Sequence, residues 1–476
     1  MPLYRSEGEE SMVVENRRKM GKGLMGILLF GILLVRPSAG QEEVSLSMEG
    51  AIVRALERNN LIRSSRFAVE KARWDRKHAW SMLLPTLNLG TRMSRIDDRT
   101  FAERDFRRYF GPELADQIPQ TVFQTSYATS LDLSVPLFNA QLMNGISLAR
   151  AGEEVASRTE RVGREQLLFQ VISGYLNVLK AGEVLRLQRD YLELTRLNLE
   201  KAERLQRADR YSRVEALRWQ VEYKQQQSAV VSSQAGLRTA STGLGRLLGA
   251  EEGERIAVEE SVPERLLRIS EELAQREDTE ILRMGQVADG ALIEGNAALA
   301  AGRAGEEVSR LSHRQAKAAY LPNLSLSYSH AWRENNTLAM DDYSPKTLMV
   351  FLQVPVFSGL QNYTAARSAY YEYRQSREEL ADQVQNTRFL LNDVVSRIVD
   401  LKAQRELARA SVELGEENYR IVARQKEQGR VSNIEFIDAK LSLQNAQLSE
   451  VTSHYDLIAA TVELHYLLGE MESLIE

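Results

Sequence analysis

No cysteine occurs in these 476 residues. That absence excludes a disulfide framework, thiolate metal sites, a cysteine nucleophile and a lipid anchor attached through an N-terminal cysteine. Prolines number only 10, so little interrupts long stretches rich in Ala, Leu, Glu, Arg and Gln, the composition of long helices. Positive charge is not in surplus. The 61 basic and 66 acidic residues leave a net charge of −5, which removes the basic field that nucleic-acid binding requires. The five histidines, His78, His313, His330, His454 and His465, lack ligand spacing, and no metal site is expected. No nucleophile or acid pair sits in a pocket-forming context, so neither enzymatic activity nor a cofactor is expected.

Long apolar runs are also missing. The longest, Leu24 to Val35, follows Arg17, Arg18, Lys19 and Lys22 and precedes small Ser38, Ala39 and Gly40. It is too short to span a membrane and has the flanks of a secretory signal, expected over residues 1–40. No other run reaches about 18 residues, so any membrane contact must come from strands.

What is present is a repeat. "LSVPLFNA" (Leu133 to Ala140) returns as "LQVPVFSG" (Leu352 to Gly359), with Pro136 and Pro355 separated by 219 residues. "RYSRVEAL" (Arg210 to Leu217) matches "RVSNIEFI" (Arg430 to Ile437), and "RLLG" ending at Gly249 matches "YLLG" ending at Gly469, both at an offset of 220. "LLPTLNLG" (Leu83 to Gly90) matches "YLPNLSLS" (Tyr320 to Ser327) at 237, so the first copy carries 18 extra residues between its two prolines, as a surface loop tolerates.

Each copy reads as helix, two strands, then two helices. Ser47 is a plausible cap for one helix running to Leu83. Leu87, Leu89, Thr91 and Met93 alternate with Asn88, Gly90 and Arg92. Tyr127, Thr129, Leu131, Leu133 and Val135 alternate with Ala128, Ser130, Asp132 and Ser134, and the second copy repeats this with Leu324, Leu326, Tyr328 and Trp332, then Leu348, Val350, Leu352 and Val354. Period-two patterning over about ten residues is a strand signal of bilayer-crossing length, with the polar row suited to a water-filled lumen. Trp332, at a strand end, fits an interfacial girdle, whereas Trp74 and Trp80 are expected to pack where helix meets barrel. Pro136 and Pro355 are expected to stop their strands and hinge into helices capped by Asn139 and Ser358. Proline-free helix then runs from Asn139 to Arg207 and from Ser358 to Gln428. In the last helix Ile434, Ile437, Leu441, Leu448, Val451, Tyr455, Ile458 and Val462 step as a heptad seam, with Gln444 in one seat.

The expected division is 1–40 signal, 41–83 N-terminal helical segment, and 84–138 first β-hairpin, with strands at about 84–96 and 124–137. There follow 139–249 first long helical hairpin, 250–282 acidic connector, 283–319 helix of the second copy, 320–357 second β-hairpin, and 358–476 second long helical hairpin and C-terminus. Four strands cannot seal themselves from lipid, so several copies must share one barrel; two or three both satisfy the pattern.

The helix with "RNN", the strand opening at "LLPTLNL", the strand ending "VPLF", the paired long helices and "LLG", all doubled between about Val44 and Gly469, resemble the outer-membrane efflux protein family, known through TolC. The resemblance implies a mainly α fold with a transmembrane β part. Three copies would build a twelve-stranded outer-membrane barrel continued by a periplasmic α-barrel, with the connector forming an equatorial belt. It further implies a homotrimer set in outer-membrane lipid that docks a periplasmic adaptor and an inner-membrane RND or ABC-type pump, performs no chemistry, and exports drugs, metals or proteins in a tripartite efflux or type I secretion system. The helical tips form the entrance in that family. The resemblance puts its paired gate acids on Glu435 and Asp438, three apart and so on one helix face, with Glu215 and Arg218 as the first-copy equivalents. The entrance arginine falls on Val431, beside Arg430. Arg210, Ser212, Gly429 and Ser432 mark the tips expected to meet the adaptor. The competing reading of the sequence is a periplasmic or secreted coiled-coil scaffold without membrane insertion, which would have no use for the apolar strand faces.

Overall fold

A computed structural model describes residues 45–474, apart from 252, 253, 255, 260 and 335–343. The expected signal at 1–40 lies outside the described residues.

The chain opens with a two-residue strand β1 (Ser45–Leu46) and helix α1 (Met48–Arg58), whose cap Ser47 accepts the Gly50 N–H at 3.1 Å. The helix does not continue to Leu83 as expected. Asn59 leaves helical geometry and its Oδ1 accepts the Leu61 N–H at 2.9 Å, starting α2 (Asn60–Ser81). An asparagine offering its own acceptor competes with the helix and restarts it. After Pro85 come β2 (Thr86–Arg95), a loop with α3 (Asp98–Arg104) and α4 (Pro112–Ala115), then β3 (Thr125–Asn139). Helix α5 (Ala140–Arg207) has 68 residues, a length of about 100 Å, and α6 (Arg213–Leu247) folds back along it. The connector supplies β4 (Ala257–Val258), α7 (Glu264–Gln275) and α8 (Asp278–Arg283). The second copy follows: α9 (Asp289–Gly295), α10 (Ala297–Ala318), β5 (Asn323–Glu334), β6 (Lys346–Gln353), α11 (Gln361–Glu427) and α12 (Asn433–Leu468).

The two copies share one antiparallel sheet in the order β2-β3-β5-β6. Its register puts Leu87 opposite Leu133, Leu133 opposite Tyr328 and Tyr328 opposite Leu348, a continuous apolar face. The other face carries the row Asn88, Asp132, Ser329 and Thr347, in which Ser329 and Ser130 donate to Asp132 at 2.6 and 2.7 Å.

The repeated Val-Pro junction folds in two different ways. Pro136 does not end its strand: β3 runs through it to Asn139, with an irregularity against β5 between Pro136 and Phe138. The reason is local. β2 ends at Thr86 opposite Ser134, so one side of Pro136 has no ladder needing its missing N–H. Asn139 then caps α5, accepting the Leu142 N–H at 3.1 Å. In the second copy β6 has already stopped at Gln353, before Pro355. Its helix starts after Leu360 in left-handed geometry (φ 66°), and Ser358 is not the cap, although its Oγ accepts the Asn362 N–H at 3.3 Å.

The "RNN" and "LLG" motifs meet each other. Asn59 donates to the Leu247 carbonyl at 3.3 Å, and Asn296, 237 residues later, donates to the Leu467 carbonyl at 2.9 Å. Each asparagine therefore caps one helix and satisfies the end of another. Gly469 (φ +76°) is required there, because a Cβ would run into the Gly295 carbonyl oxygen. One apolar core gathers Ile172, Leu176, Leu244 and Leu248 against α1, and another gathers Leu292, Leu391, Ile398 and Leu464 under the second copy. Tyr175, fully buried, donates at 3.1 Å to the carbonyls of both Leu46 and Glu259, tying the β1–β4 pair to α5. Burial pushes its hydroxyl up to about 12.

Near the sheet the helices lie side by side in the order α2, α5, α10, α11; toward the tips α5 packs with α6 and α12, and α12 with α11. Among the described residues no helix is long and apolar enough to cross a membrane.

Candidate functional site

The sequence-predicted residues converge on the ends of the two helical hairpins. Both ends use one backbone device. Helix α5 closes with Asp209 in left-handed geometry (φ 54°) and α11 with Gly429 (φ 71°), and the following N–H groups, of Arg210 and Arg430, reach back to Leu205 O and Gln425 O at 2.9 Å. Two residues later Ser212 and Ser432 restart the chain as helix.

Each serine forms a reciprocal cap with a glutamate. Ser212 Oγ accepts the Glu215 N–H at 3.3 Å while Glu215 Oε2 accepts the Ser212 N–H at 2.9 Å; for Ser432 and Glu435 the distances are 3.2 and 2.6 Å. Two of the predicted gate acids are thus engaged in holding helix starts. The bonds to Ser432, with Lys426 adding attraction, hold the Glu435 carboxyl below its usual range, so it is ionised at neutral pH. Glu215 is also bridged across the tips, accepting from Asn433 Nδ2 at 3.1 Å. Asp438 and Arg218 are exposed. Arg430 is exposed as well; within the chain, Glu215 is the predicted acid hydrogen-bonded to the opposite hairpin among the described residues.

The tips are joined by an aromatic contact. Trp219 and Phe436 are buried with ring centroids 6.1 Å apart, Tyr419 lies 5.5 Å from Phe436, and Lys426 stands over the Tyr211 ring at 5.6 Å.

Above this cluster lies a buried polar layer that the sequence reading missed. Lys440 has 0 % of its surface exposed; its Nζ donates to Glu222 Oε1 and Thr195 Oγ1, each at 2.8 Å. One turn further, Gln444 Nε2 donates to Gln188 Oε1 at 2.9 Å and Gln226 Oε1 at 3.3 Å. The layer ties α5, α6 and α12 together. It also corrects the heptad seam: α12 buries Phe436, Lys440 and Leu443, whereas Ile434 is exposed. Gln444, seated in the seam with no apolar excuse, was the one visible signal of a polar layer.

An open apolar-faced sheet, a doubled helical hairpin whose long helices run about 100 Å and polar tips define the TolC-like outer-membrane channel fold. The chain belongs to the outer membrane efflux protein family, whose sequence model matches residues 51–250 and 290–470. It is 24% identical over 359 residues to the alkaline protease secretion protein AprF of Pseudomonas aeruginosa, covering 73% of this chain and 70% of that one. It is 22% identical over 352 residues to the proteases secretion protein PrtF of Dickeya chrysanthemi, covering 73% of each. Among solved structures, the Campylobacter jejuni CmeC outer membrane channel superposes with a TM-score of 0.74 at 13% identity, over 89% of this chain and 85% of that one.

Proposed function

We propose that three copies of this chain close into one export duct of the outer membrane, the outer component of a type I secretion system that passes a protein cargo. The observation that carries the reading is the open sheet: β2 and β6 are its edges, every described residue of both is exposed, and an unpaired edge in hydrocarbon costs several kcal/mol per backbone group. Three sheets of four strands supply the twelve of a barrel wide enough to keep an aqueous bore.

The helical part supports the same closure. Exposed apolar residues line the two flanks that such a ring would join. Leu407, Leu414 and Ile421 lie seven apart on α11, and Val214, Leu217, Val221 and Val231 follow an a/d spacing on α6. The two helices run in opposite directions, so α11 of one copy meets α6 of the next with Ile421 near Val221. Leu61, Phe67 and Trp74 extend the exposed flank along α2. The likeness to AprF and PrtF, both named for protease secretion, favours a protein cargo, a periplasmic adaptor at the tips and an inner-membrane pump of ABC type. Glu435 and Asp438, threefold repeated, would present six carboxylates at the entrance.

The cysteine-free chain permits a direct test. With Val221→Cys and Ile421→Cys together, oxidation is expected to give a covalent trimer resistant to denaturant, in a carbonate-resistant outer-membrane fraction. Monomeric protein in water without detergent, silent in planar bilayers, would refute the reading. Photocrosslinkers at Arg210 and Arg430 are expected to capture the adaptor.

A further inference from the structure

The polar face of the sheet holds two arginines that export as such does not use. Arg92 on β2 and Arg333 on β5 both lie directly opposite Ala128 of β3. They therefore stand on one cross-strand level, two strands and about 10 Å apart. Alternation assigns the face: Arg92 shares it with Asn88 and Gly90, and Arg333 with Ser329, which bonds Asp132 across the strands. Nothing bulky stands between them. Ala128 ends at Cβ, and the level beneath is Gly90, Ser130 and Ala331. Both arginines are exposed, and neither has a hydrogen-bond or ion-pair partner among the described residues. The acid on this face, Asp132, lies four residues along β3, about 13 Å away, and both its oxygens are taken by Ser130 and Ser329.

Both residues lie at the loop ends of their hairpins, away from the long helices. In the duct this is the bore just inside the outer mouth, where threefold symmetry brings six guanidiniums together as three such pairs. Planar forks with five donors each, without an acid partner among the described residues and set over small residues, match oxyanions. Resting on the export-duct reading, we propose that Arg92 and Arg333 form an anion-binding ring at the outer exit, and that its ligand is a polyvalent oxyanion carrying several phosphate or carboxylate groups. At 0.1 M salt the screening length is about 10 Å, the spacing of the pair, so neighbouring arginines act on one anion together; at 1 M it is about 3 Å and they do not.

The test uses the full-length channel in planar bilayers, with inorganic tripolyphosphate or tetraglutamate added to one side at a time. In 0.1 M KCl the wild type is expected to be blocked from one side only, and the block to fade in 1 M KCl. Arg92→Gln with Arg333→Gln is expected to raise the half-blocking concentration at least tenfold, whereas the double lysine variant keeps part of the block. Block by both probes assigns general oxyanion recognition; block by one alone assigns phosphate or carboxylate as the ligand. Should the double glutamine variant fail to insert, the single variants, each expected near threefold, carry the test. Channels that conduct normally with unaltered block in the glutamine variants overturn the ring alone. A wild type that never conducts overturns the duct and the ring with it.

Discussion

Replacing Lys440 with methionine removes a cation that lies fully buried between Glu222 and Thr195, 2.8 Å from each. Methionine matches the aliphatic stem, so little volume is lost, but the buried Glu222 carboxyl is left without its counter-charge. Thr195 is left only mildly perturbed, since its hydroxyl also donates to the Tyr191 carbonyl at 2.7 Å. Breaking one side of a buried pair costs about 3–5 kcal/mol, so local opening of the three-helix layer should rise by about two to three and a half powers of ten. Replacing both partners, as Lys440→Met with Glu222→Leu, removes the stranded charge along with the pair and should recover most of the loss, because apolar replacements of buried pairs are often neutral or stabilising. Amide hydrogen exchange across 188–226 and 433–447, measured on the detergent-solubilised channel, reads this directly. The single variant should lose protection there and the double variant regain it. If the double variant is as unprotected as the sum of the two single variants, the charges do not interact and the layer does not hold these helices.

Asp209→Gly, which gives the first tip the residue the second already has in left-handed geometry, should stabilise by about 0.5–1 kcal/mol, and Gly429→Ala should destabilise by about 1 kcal/mol, both read from thermal unfolding. Asn296→Ala removes the cap on α10 and the donor to Leu467 O and should cost about 2–4 kcal/mol by the same assay; a loss under about 0.5 kcal/mol would show the motif to be decorative. Burial, then Arg405 and Arg409, hold the His454 pKa below its ordinary 6.5. Below that value the unfolded chain binds a proton that the folded one resists, so stability falls as pH drops from 6.5 toward the folded pKa and then levels, and His454→Asn should flatten this slope. Glu435→Gln with Asp438→Asn should lower the cation preference of single channels; unchanged selectivity would remove the proposed acid ring.

Much of the architecture was legible because its signals are local and periodic. Alternation in Leu87 to Met93 and Leu348 to Val354 states strands with one apolar face, and recurrence of "RYSRVEAL" as "RVSNIEFI" states a doubled hairpin. Even the reciprocal caps are written at Ser-x-x-Glu spacing in Ser212 and Glu215 and again in Ser432 and Glu435, although reading those glutamates only as gate acids hid it. What escaped was register. The apolar steps Ile434, Ile437 and Leu441 put Lys440 on the outside, and the Val-Pro junctions looked equivalent.

By itself, then, the sequence determined the elements, their duplication and which strand face is apolar, since these depend on residues a few positions apart. Only the tertiary structure decided that α12 turns Lys440 inward, because its partner Glu222 lies 218 residues earlier in the chain. It likewise decided that Pro136 stays within a strand, because β2 stops opposite Ser134 and leaves that edge free of bonds. The rotation of a helix and the tolerance of a proline are set by which neighbour's hydrogen-bonding groups arrive there, and no local pattern encodes that.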